Sequence, residues 1–140
     1  MRTAAVLLGL AFVANTSAQT TPAPLRLLVL DGRNGRPVQN EDISLWYDEK
    51  EGTPTLLHTD AHGEAQVPPP LATAVRITVE PMVSVDCRPK HDGPIFYSLR
   101  IIHERGLAAE NKCGTPVFRK HLNELILFVR DHKWYEGFNQ

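Results

Sequence analysis

Two glycine-containing turns set between short apolar runs constrain this chain more than anything else in it. The first is Asp31-Gly32-Arg33-Asn34-Gly35-Arg36-Pro37-Val38 and the second is Thr59-Asp60-Ala61-His62-Gly63. Asp and Asn close such turns with their own side chains, and glycine supplies the backbone freedom they need. The runs between them are too short for helices and alternate as strands do. In Leu25-Arg26-Leu27-Leu28-Val29-Leu30, residues Leu25, Leu27 and Val29 share one face and Leu28 and Leu30 the other. A strand apolar on both faces is central in its sheet or covered on its second side. Ile43, Leu45 and Tyr47 alternate with Asp42, Ser44, Trp46 and Asp48, the pattern of a half-buried strand.

Further strands are expected over 55–59, 64–67, 74–80, 83–87 and 124–130, with Val75, Ile77, Val79, Leu125, Leu127 and Val129 facing inward. The Pro68-Pro69-Pro70 trio reads as a stiff connector and residues 88–94 as a loop. Residues 95–105 carry both a period of two and a period of 3.6. Ser98 as a cap and Gly106 as a stop favour a short helix over 98–105. About seven strands and one helix describe a mainly β chain, a single Greek-key β-sandwich.

Arg2, the apolar run Ala4 to Val13 and the small residues Thr16-Ser17-Ala18 read as a secretory signal over 1–18, cleaved near Ala18. The run falls short of the roughly twenty residues that a membrane span needs, so no span is expected after cleavage. Residues 19–24 then form a disordered leader, 25–136 the domain and 137–140 a tail. The expected location is secreted or periplasmic. About 115 residues bury only around two thirds of their unfolded surface, so a covalent staple would help. Cys87 and Cys113 are the two cysteines. In an oxidising compartment they read as one disulfide; a metal pair or a redox pair are the other uses, and the CxxC spacing is absent. With 15 Lys and Arg against 16 Asp and Glu, and no basic stripe, nucleic acid is not an expected partner.

Val29-Leu30-Asp31, Asn34-Gly35-Arg36-Pro37-Val38, Ile43-Ser44-Leu45 and Thr59-Asp60-Ala61-His62-Gly63-Glu64-Ala65 together resemble the carboxypeptidase regulatory-like, or transthyretin (prealbumin)-like, β-sandwich. The resemblance covers 25–67. Downstream, 109–114 and 125–134 are similar to a secreted bacterial subset of these domains with no described activity. This fold hosts stability modules, binding modules and a few enzymes, so the resemblance implies architecture and not a reaction. The hydroxyisourate hydrolases of this fold end in Tyr-Arg-Gly-Ser, whereas this chain ends in Phe138-Asn139-Gln140. Intradiol dioxygenases need two tyrosines and two histidines at a spacing that Tyr47, Tyr97, Tyr135 and the scattered histidines do not present.

His58, Asp60 and His62 would share one face of an extended segment, the one weak candidate for a metal site. Asp60 reads better as a turn residue, so no metal and no cofactor are expected. The carboxylate pairs Glu41/Asp42 and Glu49/Glu51 read as solvated surface, and no catalytic motif is present. Trp46, on the polar face of its strand, and Trp134 with Tyr135 are candidates for a binding surface that stacks on sugar rings or anchors a partner. The expected function is a non-catalytic secreted module binding a protein or carbohydrate at the cell envelope; the alternative is a small hydrolase or metal-binding protein on the same fold.

Overall fold

The apolar run from Leu25 to Leu30 is strand β1 (Leu25–Asp31), and its two faces meet two different cores. In a computed structural model of the protein the described residues are 24–48, 52–68, 71–80 and 84–133. The signal at 1–18, most of the leader, Trp134, Tyr135 and the 137–140 tail lie outside them. β1 sits between β4 (Glu64–Val67) and β9 (Glu124–Asp131) in a sheet that ends with β6 (Ser84–Asp86). The two-residue β8 (Leu107–Ala108) shares the β9 edge with β6. β1 runs antiparallel to β4 and parallel to β9. The second sheet is antiparallel throughout, in the order β3 (Thr55–His58), β2 (Asp42–Tyr47), β5 (Ala74–Val79), β7 (Phe96–Ser98). The chain is thus mainly β, in two sheets with one short helix. No helix among the described residues is long and apolar enough to cross a membrane.

The main core lies between the sheets. Leu25, Leu27, Val29, Leu125 and Leu127 of the first sheet meet Ile43, Leu45, Val75 and Ile77 of the second, all essentially without exposure. Each such side chain contributes about 1.5–3 kcal/mol on burial. A second, smaller cluster forms on the outer side of the first sheet from Leu30, Cys87, Ile126 and Phe128, with Leu28, Ala108 and Cys113 against it. Burial on both faces is why the whole run from Glu124 to Val129 is inaccessible, where alternation alone predicts only every second residue.

Nine strand segments are present among the described residues, not seven. The additions are β7 and β8. β7 is the front half of the stretch whose two periods compete: the chain pairs with β5 through Ser98, then turns into helix α1 (Leu99–Arg105). Ser98 caps that helix by accepting from the Ile101 N–H, and Gly106, at φ +66°, closes it by donating to the Ile102 carbonyl at 2.9 Å. β8 is held by backbone pairing to Leu125 and Ile126 and has no side-chain pattern to announce it.

The turns form as their residues require, with one change of role. Asp31 Oδ1 accepts from the Arg33 N–H at 2.8 Å, and Gly35 takes φ +74°. Asp60 Oδ1 accepts from the N–H groups of His62 and Glu64 at 2.8 and 3.0 Å, with Gly63 at φ +72°. Gly32 does not take a positive φ, which overturns the conformational reading of that glycine. It is needed for room: a Cβ there would lie 2.7 Å from both Cys87 Sγ and Asn111 Oδ1.

Candidate binding face

The outer faces of the two sheets are treated differently. Cys87 and Cys113 are joined, with Cα atoms 5.4 Å apart, and the disulfide ties segment 108–118 over the first sheet. Lys112 N–H donates to the Cys87 carbonyl at 2.8 Å, Asn111 Nδ2 to the Gly32 carbonyl at 2.8 Å, and Ala109 N–H to the Ile126 carbonyl at 2.8 Å. Phe118 packs edge to face on Phe128 with ring centres 5.1 Å apart. Nothing comparable lies over the second sheet among the described residues. There Thr78 is exposed, Leu56 is 71% exposed, and Trp46, Arg76 and Phe96 are half-buried.

Register lines these side chains up. Trp46 pairs with Arg76 across β2 and β5, and Arg76 with Phe96 across β5 and β7. The Arg76 Cζ lies 4.2 Å from the centre of the Trp46 ring system, a cation–π stack. Trp46 Nε1 donates to the Gly52 carbonyl at 3.0 Å, which fixes the indole. Arg76 has no hydrogen-bond or ion-pair partner among the described residues, and its Nε is buried and unsatisfied. One step along the strands Ser44 pairs with Thr78. One step further Asp42 pairs with His58 and their side chains meet.

A pocket of about 400 Å³ opens beside Arg76. Its cause is a proline. Continuing the β5–β7 register places Pro94 across from Thr78, where it has no N–H to give the ladder. The chain therefore leaves β5 above Phe96, and Arg88 fills part of the gap. Arg88 Nη2 donates to the Ile77 carbonyl at 2.8 Å and Nη1 to the Tyr97 hydroxyl at 3.2 Å, and the guanidinium forks onto Asp86. Burial works against the Arg88 charge, but Asp86 more than offsets it and holds the pKa above its ordinary value. Burial raises the Tyr97 hydroxyl pKa. Lys90 and His91 line the exposed side of the pocket.

Of the sequence candidates among the described residues, Trp46 lies in the row with Arg76, and His58 lies at the far end of the same face. His58, Asp60 and His62 are not brought together. His58 meets Asp42, Asp60 closes its turn, and His62 is exposed. Among the described residues no group of three or more His, Cys, Asp or Glu is placed to hold a metal ion. Glu41 is not solvated surface, contrary to the reading of its carboxylate pair. It is 1% exposed, and Ser84 Oγ donates to its Oε2 at 2.7 Å while Oε1 has no partner. Desolvation pushes its pKa up, Ser84 pulls it back, and the nearby Asp42, Asp131 and Asp86 add to the rise. Glu124, also fully buried, is held by Arg26 Nη2 at 2.5 Å and the His121 N–H at 3.0 Å. Sequence reasoning missed Arg76, Arg88 and Lys90. Arg76 is legible as outward-facing, but its alignment with Trp46 depends on a register that no local pattern gives.

No protein-family model matches the chain, and no curated protein and no solved structure matches it.

Proposed function

We propose that this protein is a secreted, non-catalytic β-sandwich module that binds carbohydrate at the cell envelope through the open face of its second sheet. The observation that carries the reading is the row Trp46–Arg76–Phe96, which no other described residue covers, while the opposite outer face is sealed by a disulfide-tied segment. A half-exposed indole flanked by polar groups such as Ser44 and Thr78 suits a sugar ring, which offers C–H groups for stacking and hydroxyls for hydrogen bonds. The strand order supports a Greek-key sandwich of the transthyretin-like kind. β4 returns to lie beside β1, while β2 and β3 pair in the facing sheet. The disulfide fits the oxidising compartment that a signal over 1–18 would reach.

The test is a titration of the chain from Gln19 onward with soluble oligosaccharides (chitotetraose, cellotetraose and trigalacturonate), following the Trp46 indole N–H by NMR. At least one should shift that resonance in a saturable way, and Trp46→Ala should remove binding while leaving the core methyl resonances in place. If all three sugars leave the indole unmoved, the carbohydrate reading is wrong.

A further inference from the structure

We infer that the pocket beside Arg76 is an anion site, and that it takes the carboxylate of an acidic sugar whose ring packs along the edge of the Trp46–Arg76 pair. The inference rests on the carbohydrate reading and adds the chemical class of the ligand.

The charges of the pocket do not cancel internally. Arg76, Arg88 and Lys90 line it against one carboxylate, Asp86. Asp86 is already committed to Arg88, whose guanidinium also braces the loop against Ile77 and Tyr97. Arg76 and Lys90 therefore remain without a carboxylate among the described residues. Arg76 is also held in place. Its aliphatic stem leaves β5 beside a fixed indole, its guanidinium is stacked on that ring, and its Nε is sheltered from water without a partner. A guanidinium so ordered has lost rotamer freedom before any ligand arrives, and its planar fork matches a carboxylate. Sheltering from water strengthens that attraction relative to a freely solvated arginine.

The pocket has the size for a sugar acid. Its volume of about 400 Å³ lies within the range of roughly 300–1,000 Å³ typical of small-molecule sites. The indole and the pocket are adjacent because both border Arg76: the ring on one side, and the gap opened by Pro94 on the other. Because Arg76 occupies one face of the indole, a sugar ring that packs along the edge of the Trp46–Arg76 pair would carry an acidic substituent toward Arg76 and Lys90.

The experiment compares trigalacturonate with its methyl ester, which keeps the rings and removes the charges. Titrations follow the Trp46 indole N–H and the Arg76 Nε–H in the chain from Gln19 onward. The acid should bind at least tenfold more tightly than the ester and shift both resonances, and its affinity alone should fall as salt rises. Arg76→Gln should bring the acid down to the ester. Lys90→Gln, on an exposed loop where folding is not at issue, should lower acid binding several-fold and leave the ester unchanged. Equal binding of acid and ester at Trp46, with Arg76 unmoved, would overturn the anion site and leave the carbohydrate reading standing. If neither compound moves the Trp46 indole, both readings fall.

Discussion

Opening the Cys87–Cys113 bond tests the cover over the first sheet, because the crosslink and the apolar packing beneath it can be separated. The bond joins residues 26 apart in sequence. The chain-entropy relation for a loop of this length gives about 3.5 kcal/mol at 25 °C. Packing is a separate contribution: Cys87 is 2% exposed within the cluster of Leu30, Ile126 and Phe128, so removing its sulfur leaves a small void there. Reduction of the wild-type chain removes only the link. The double substitution C87A/C113A removes the link and both sulfurs. Urea unfolding should therefore show the oxidised protein most stable, the reduced protein lower by about 3–4 kcal/mol, and the alanine pair lower again by roughly 1 kcal/mol. The midpoint should fall by about 1–4 M on reduction and further in the alanine pair. A loss under about 1 kcal/mol on reduction would refute the reasoning, for it would mean that the hydrogen bonds from Asn111, Lys112 and Ala109 hold the cover unaided.

Two further perturbations have signs fixed by the structure. Burial raises the Glu41 pKa in the folded chain, so the folded state binds more protons than the unfolded one between the ordinary carboxylate range and the raised value. Glu41 thus contributes full stability at low pH and loses it as pH rises through the folded pKa; Glu41→Gln should flatten that decline and leave the protein more stable at pH 7, as read by thermal melts from pH 4 to 8, and a steeper decline in the variant would contradict this. Gly32→Ala forces a methyl against Cys87 Sγ, Asn111 Oδ1 and Cys113 Cβ, all within 3.0 Å, and should cost about 1–3 kcal/mol in urea unfolding, more in the oxidised than in the reduced protein because the bond prevents the cover from yielding.

Local pattern made the frame of this fold legible. The two-sided apolarity of 25–30 marked a strand either central or covered, and β1 is both. Alternation placed Ile43, Leu45, Val75 and Ile77 inward, and Ser98 and Gly106 bracketed the helix. What pattern could not reach depends on partners distant in sequence. Glu41 is buried by a serine 43 residues away, and a carboxylate at a strand start carries no local mark of that fate. The candidate face needed the β2–β5 register to bring Arg76 onto Trp46, and a proline-rich loop to fold Arg88 back across β5. Each of those residues is ordinary in its own neighbourhood; the site exists only in their alignment.

The two outer faces also differ in what their aromatic contacts do for the fold. Phe118 closes on Phe128 over a buried cluster, so that contact is part of a second core and is reinforced by a covalent link nearby. Arg76 on Trp46 covers no cluster. A surface cation–π contact of this kind contributes about 0.5–1 kcal/mol, a small share of the stability of a domain this size. The main core lies on the other side of β2 and β5 and is complete without either side chain. The fold therefore does not require an ordered guanidinium there, yet the arrangement orders one beside a pocket that has no second carboxylate among the described residues. Stability resides on one outer face and in the interior, and the proposed recognition would use the other face. Substitutions at Trp46 and Arg76 should consequently alter binding with little change in unfolding, whereas substitutions at Gly32 and the cysteines should do the reverse.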